Sequence, residues 1–112
     1  MLSRGMRNVY IKVMSGVMGL LLVAASAWAE PVVVEMKDGA FVPAVVEIKP
    51  GAAVKWVNRD GFRQGIVGEE GARFRSVSLR QGDAFVKRFR KPGEFTYRAT
   101  ENRAMQGVVI VR

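Results

Sequence analysis

The sequence predicts an all-β domain, a Greek-key sandwich of seven or eight short strands, on the basis of three observations. Apolar residues beyond residue 30 recur with a period of two, as in half-buried strands. Turns built on Gly and Pro separate these segments at short intervals. No later stretch is long and periodic enough for a helix, so an antiparallel two-sheet sandwich is expected. The 112 residues are 49% apolar and 25% charged, which fits one ordinary globular domain.

Residues 1–29 are predicted to be a signal peptide. Three basic residues precede an uncharged apolar stretch over residues 13–25, and the small residues Ala27 and Ala29 suit signal peptidase. We therefore expect cleavage after Ala29, a periplasmic location and a mature domain over residues 30–112. The alternative is an uncleaved membrane anchor, because about 17 apolar residues lie near the lower limit for a span.

The first half of the predicted domain contains three extended segments. Trp56 shares one face of its segment with Val54 and Asn58, which predicts a half-buried strand with the indole in the core. Pro43 interrupts the segment before it. The predicted strands cover residues 31–36, 41–48 and 54–58, and the turns between them cover residues 37–39 and 49–51.

The second half contains further short strands. Phe95, Tyr97 and Ala99 share one face of a strand, and the nearly continuous apolar run over residues 107–111 predicts a strand buried on both sides. The remaining predicted strands are a weak segment at residues 64–67 and alternating segments at 74–79 and 85–90.

The chain contains no Cys and no His, which excludes several kinds of chemistry. Disulfides, thiolate nucleophiles and imidazole ligands are absent, so zinc, copper and haem sites lack their usual donors. A Ser-His-Asp or Cys-His catalytic site is excluded for the same reason. Glu69 and Glu70 are neighbours in a loop and do not face each other as a glycosidase pair would. We therefore expect that the protein is not an enzyme.

Three segments together resemble a known family. They are residues 54–60 (VKWVNRD), 91–97 (KPGEFTY) and 105–111 (MQGVVIV). Their order is similar to that in cupredoxins of the plastocyanin, amicyanin and pseudoazurin type, which are small periplasmic blue-copper electron carriers. The resemblance covers the whole predicted mature chain and implies the same sandwich fold.

The resemblance also implies four metal-ligand positions. Gln64 stands at the first His position, Ala99 at the Cys position, Asn102 at the second His position and Met105 at the Met position. A blue-copper site needs two imidazoles and a thiolate, with the thioether as a weak axial contact. We therefore expect no bound cofactor, no blue colour and no tight copper binding; copper is implied by the resemblance alone.

Two interpretations of these replacements remain open. Gln64, Ala99 and Asn102 could fill the former copper cavity, with the amides bonding to one another and to nearby backbone. Alternatively, the cavity is a small polar pocket for another ligand.

Basic residues surround the same positions. Arg is enriched at protein interfaces, and the resemblance implies that cupredoxins meet their redox partners through this end, although a solvated face is the simpler interpretation. The four candidates are Arg59, Arg63, Arg98 and Arg103. A second basic stretch is interpreted as an edge strand protected by charge, and it comprises Lys87, Arg88, Arg90 and Lys91.

Three functions follow from these patterns. The first is a copper-free accessory module, a monomer, that docks through the Arg-rich rim onto an acidic periplasmic redox protein. The second is a copper-binding electron carrier, as the resemblance implies, or a weak Cu(I) chaperone that uses Met105 with Met36. The third is a binder of anionic polymers through the net charge of +5 on residues 30–112. No nucleic acid is expected, because export argues against it, and a membrane is expected only through an uncleaved leader.

Overall fold

The computed structural model describes residues 30–112, so the predicted signal peptide and its cleavage site lie outside the described residues. No helix in this range is long and apolar enough to cross a membrane. The strands are β1 (Val32–Lys37), β2 (Ala40–Val42), β3 (Val45–Ile48), β4 (Ala53–Asn58), β5 (Ile66–Gly68), β6 (Ala84–Arg88), β7 (Gly93–Ala99) and β8 (Gln106–Val111). They form sheet I, in the order β2-β1-β4-β6, and sheet II, in the order β3-β8-β7-β5. The predicted all-β sandwich is confirmed.

Both sheets are mixed, so the prediction of a purely antiparallel sandwich was wrong for two strand pairs. β1 pairs with β4 in parallel, and β3 pairs with β8 in parallel. The cause lies at Pro43 and Ala44, where the chain leaves sheet I and enters sheet II between β2 and β3. Because this step changes the sheet without a tight hairpin, the turn at residues 49–52 brings β4 back alongside β1 in the same direction.

The predicted strand over residues 74–79 was also wrong. This segment touches its neighbours through two isolated bridges, which join Leu79 to Gln64 and Arg75 to Val67. β5, the strand beside it, is only three residues long and offers no continuous ladder. The inward residues of the segment are still buried: Ser76 is 6% exposed and Leu79 is 2% exposed.

Aromatic rings fill the space between the sheets. Trp56 is fully buried at the centre, as predicted, and its ring centroid lies 5.2 Å from that of Tyr97 in an edge-to-face contact. Tyr97 also packs edge-to-face on Phe41 at 4.7 Å. Such pairs contribute about 0.5–1.5 kcal/mol each beyond the area that they bury. Strands β4 and β7 are therefore locked together through rings from both sheets.

Two polar atoms in this aromatic centre have no hydrogen-bond partner: the indole Nε1 of Trp56 and the phenol oxygen of Tyr97. Burial raises the pKa of the Tyr97 phenol well above its usual range, and the nearby Trp56 side chain lowers the pKa by a smaller amount. The two groups are close, but they do not meet the geometric requirements of a hydrogen bond. The Tyr97 ring rests on Gly107, where a Cβ would lie 2.5 Å from its Cζ.

β6 is the outermost strand of sheet I, which agrees with the interpretation of the second basic stretch as an edge. Lys87 pairs with the buried Val54 of β4 and lies on the inner face of sheet I. Val86 pairs with Lys55 of β4 on the outer face. A charge that points inward on an edge strand discourages pairing with another chain. Arg90 and Lys91 lie beyond the end of the strand.

Candidate functional site

A hydrogen-bonded network built on Asn58 organises one end of the sandwich. Asn58, the last residue of β4, is fully buried, and its amide donates to the carbonyls of Phe62 and Leu79, each at 2.9 Å. Its Oδ1 accepts from the backbone N–H of Asp60 at 3.0 Å and from the side chain of Gln64 at 2.8 Å. One buried amide therefore fixes the loop that follows β4 and connects it to the segment before β6.

Gln64 is the second member of this network and is 1% exposed. Its Nε2 donates to Asn58 and also to Oδ2 of Asp60 at 2.8 Å. The other carboxylate oxygen of Asp60 accepts from the backbone N–H of Asp38 at 3.0 Å. Asp60 therefore connects this loop to the β1–β2 turn.

Two hydrogen bonds connect the loop after β7 to the loop after β4. The N–H of Thr100 donates to the carbonyl of Gly65, and the N–H of Gly65 donates to the Thr100 hydroxyl, both at 2.9 Å. At the base of the loop, the N–H of Ala99 donates to the carbonyl of Met105 at 2.9 Å. We call this end of the domain, formed by residues 58–65 and 99–105, the loop end.

The four sequence-predicted ligand positions all lie at the loop end, but their environments differ. Gln64, Ala99 and Met105 are buried, with Ala99 fully enclosed and Met105 2% exposed. Asn102 is exposed, and its Oδ1 accepts from the N–H of Ala104 at 3.0 Å, which closes a local turn. Of the two open interpretations, the first held that the amides bond to one another and to nearby backbone. In the structure Gln64 bonds to Asn58 and Asp60, and Asn102 stabilises its own loop.

Solved structures that resemble this domain include two of amicyanin. The reduced form of a tryptophan-to-tyrosine variant gives a TM-score of 0.70 at 20% identity, over 80% of this chain and 90% of that one. The Cu(I) form of a methionine-to-alanine variant gives 0.70 at 21% identity, over 78% and 90%. A copper-containing nitrite reductase from Thermus scotoductus SA-01 gives 0.68 at 30% identity, over 74% of this chain. The domain has a cupredoxin-like fold.

These similarities establish the fold of the cupredoxin-like domain. The chain spans 22% of the length of the nitrite reductase and 90% of the amicyanin chains. No protein-family model matches the chain, and no curated protein sequence does.

The donors of the cupredoxin-like domain do not fit a type 1 copper site. Such a site needs two imidazoles and a thiolate. Ala99 has no donor atom, Gln64 and Asn102 carry amides in place of imidazoles, and the sequence contains no Cys and no His. Among residues 30–112, no three His, Cys, Asp or Glu side chains are grouped so as to hold a metal.

The two thioethers considered for Cu(I) are both part of the core. Met36 is fully buried and Met105 is 2% exposed, and each belongs to the cluster around Trp56. A carrier that receives and releases an ion needs ligands that a partner can reach.

The four arginines of the predicted rim do not act as one group. Arg59 forms an ion pair with Glu35 at 2.9 Å, and Arg98 forms one with Glu69 at 3.4 Å. Arg98 alternates with the buried Tyr97 and Ala99, so it points away from the core of sheet II. Arg63 and Arg103 are exposed on the two loops of the loop end, and within residues 30–112 neither forms an ion pair with a carboxylate.

Two features of the loop end were not predicted from the sequence. The first is the network on Asn58, although its position on the inward face of β4 is a signal for one, because a buried amide needs hydrogen-bond partners. Phe62 is 56% exposed beside Arg63, and the amino-acid pattern gave no sign of this. An exposed aromatic ring next to unpaired arginines has the composition of a protein contact surface.

Proposed function

We propose that the protein is a copper-free accessory module of the cupredoxin-like fold that docks onto an acidic periplasmic redox protein through its loop end. The observation that carries the proposal is that Phe62, Arg63 and Arg103 are exposed on loops that hydrogen bonds hold in place. Loops fixed before binding lose little conformational freedom on docking. The module positions or tunes its partner and does not carry electrons itself.

The contact chemistry of this surface supports an acidic partner. Arg63 and Arg103 are free of carboxylate partners within the described residues, so an acidic surface can pair with them without breaking an existing ion pair. Arg59 and Arg98 contribute less, because each already has a carboxylate beside it. Association should weaken with salt, since exposed charges are screened over about 8–10 Å at physiological ionic strength.

A photo-crosslinking amino acid at position 62 tests this proposal in living cells. The expected result is a crosslink to a protein that carries a redox centre, weakened at high salt in extracts and lost in the double variant Arg63→Glu/Arg103→Glu. The matched control is Lys49→Glu/Lys91→Glu, which reverses two exposed charges at the opposite end of sheet II and should leave the crosslink intact. Equal crosslinking in both double variants, or capture of a protein without a redox centre, contradicts the proposal.

The assignment of ligand positions has its own test. The triple variant Gln64→His/Ala99→Cys/Asn102→His supplies the missing imidazoles and thiolate beside Met105. If the walls of a blue-copper site are retained, Cu(II) should produce the intense visible absorption of a copper–thiolate bond. The double variant without Ala99→Cys should stay colourless. A colourless triple variant that remains folded shows that the positions were assigned incorrectly.

A further inference from the structure

We propose a second binding site on the side of the sandwich, a pocket for a small organic anion that has an aromatic body. The pocket lies where the edge of sheet I meets the loop that follows β5, away from the loop end. It has a volume of about 300 Å³, at the lower end of the range of ligand pockets. We call it the basic groove. Three Phe side chains and five Lys or Arg side chains line it, and they come from residues 73–74, 87–91 and 95.

Three phenylalanine rings supply the apolar part of the basic groove. Phe89 is 3% exposed, and its ring packs edge-to-face on Phe74 at 5.9 Å and against Phe95 at 5.2 Å. Phe74 and Phe95 are only partly buried, so ring surface remains open to the groove. A flat apolar ligand can therefore stack on a surface that the core already holds in place.

Five cationic side chains and no acidic one line the groove. Within residues 30–112, none of the five is in an ion pair with a carboxylate. The nearby Glu69 is already paired with Arg98. Arg88 donates to the carbonyl of Gly51. Like charges in one concavity repel each other and raise the local positive potential, which favours an anion there.

Lys87 connects the charged and aromatic parts of the groove. Its Nζ lies 5.5 Å from the centre of the Phe74 ring and 5.3 Å from that of Phe89. This places an ammonium group directly above the apolar floor, where it keeps donor capacity for a ligand oxygen. A carboxylate, phosphate or sulfonate attached to a ring would satisfy both parts at once, whereas a simple inorganic ion would leave the floor unused.

Edge protection alone accounts for Lys87 but not for the remaining cations. One inward charge is enough to discourage strand addition. Arg73, Arg90 and Lys91 lie outside β6 and protect no strand edge, yet they line the same concavity. Its recessed shape fits a small molecule better than a flat membrane surface.

The test uses the purified protein and three probes: 2-naphthoate, the neutral 2-naphthalenemethanol, and acetate. Binding is followed through the backbone amide NMR signals of residues 71–74 and 87–91. We expect 2-naphthoate to shift these signals and to saturate. The other two probes should bind at least about tenfold more weakly, because 2-naphthalenemethanol lacks the charge-assisted contact and acetate lacks the aromatic ring. Equal binding of the neutral probe, or of acetate, overturns the proposal.

The variant Lys87→Met, which removes the ammonium and keeps the apolar stem, should weaken 2-naphthoate binding about tenfold. Its matched control is Lys55→Met, the same change on the adjacent strand and the opposite face, which should alter binding less than about twofold. The exposed pair Arg90→Gln/Lys91→Gln provides a second variant that does not touch the core. Unchanged affinity in both groove variants overturns the proposal. A different result would assign the groove to a lipid surface instead. In that case the protein does not bind 2-naphthoate but sediments with phosphatidylglycerol vesicles, and Lys87→Met abolishes the sedimentation.

Discussion

Buried polar groups are hydrogen-bonded at the loop end but have no hydrogen-bond partner in the aromatic centre around Trp56 and Tyr97. At the loop end, the buried side chains of Asn58 and Gln64 are hydrogen-bonded to each other and to the adjacent loops. In the aromatic centre, Trp56 Nε1 and the Tyr97 hydroxyl are buried without a partner. The network fixes one conformation of the loops, because a partly satisfied network would leave costly polar groups in the interior. The centre depends on ring area and shape, and its two polar atoms oppose stability.

The largest effect is expected for Asn58→Ala. This change removes four hydrogen bonds and leaves the Gln64 Nε2 group and the Leu79 carbonyl with one partner each, so the free energy of unfolding should fall by about 3 kcal/mol. This loss is measured by urea unfolding, with the fluorescence of Trp56 as the signal. Asn102→Ala is the control, because the exposed Asn102 makes only a local bond and should cost less than about 1 kcal/mol. Equal losses in the two variants would show that the buried network has no special role.

The next effect concerns the close approach of Gly107 to Tyr97. In Gly107→Ala the new methyl group would meet the Tyr97 hydroxyl and lie 2.5 Å from Cζ. The ring is held between Phe41 and Trp56 and cannot move away easily, so we expect a loss of about 2 kcal/mol. Gly61→Ala is the control, since a Cβ there meets nothing within 4 Å. If thermal unfolding shows both variants to be equally stable, the aromatic centre is less tightly packed than the structure indicates.

The smallest effect at neutral pH is expected for Tyr97→Phe. Loss of an unpartnered hydroxyl should leave the free energy of unfolding unchanged or raise it by up to about 1 kcal/mol. A marked loss of stability would mean that the hydroxyl has a partner.

At alkaline pH the free energy of unfolding of Tyr97→Phe should differ from that of the parent protein. Burial raises the pKa of folded Tyr97 above its ordinary value of 10.0, so the unfolded chain releases its proton first. The parent should therefore lose stability above about pH 10, by up to about 1.4 kcal/mol per pH unit, and Tyr97→Phe should lack this part of the loss. All other side chains are the same in the two proteins, so the difference isolates Tyr97. It is the only tyrosine among residues 30–112, and its ultraviolet absorbance reports the ionisation directly.

The inward faces of the strands were predictable from sequence, because alternation and turn residues are local signals. Trp56, Tyr97 and the apolar run of β8 were all placed in the core correctly. Strand direction was not predictable in the same way: the parallel pairing of β1 with β4 depends on the transfer of the chain between sheets at residues 43–44. The segment at 74–79 alternates like a strand, but its neighbour is too short to pair with it.

At the candidate site, the sequence predicted which residue types face inward but not which residues they form hydrogen bonds or ion pairs with. The inward position of Asn58 was visible in the pattern, but its bonds to Gln64 and Leu79 join distant parts of the chain. The rim of four arginines divided into two paired and two unpaired residues because Glu35 and Glu69 come from other elements. The basic groove could not be predicted from sequence, because Arg73 and Lys87 line the same pocket only once the two sheets have packed together.

The position of β8 also determines when the domain can form. β8 lies inside sheet II, with β3 on one side in parallel and β7 on the other. Ile48 pairs with Val111, so β3 has no strand to pair with until almost the whole domain has been synthesised. Sheet II therefore cannot be completed before β8 has been synthesised, and pairing over such a large sequence separation slows folding.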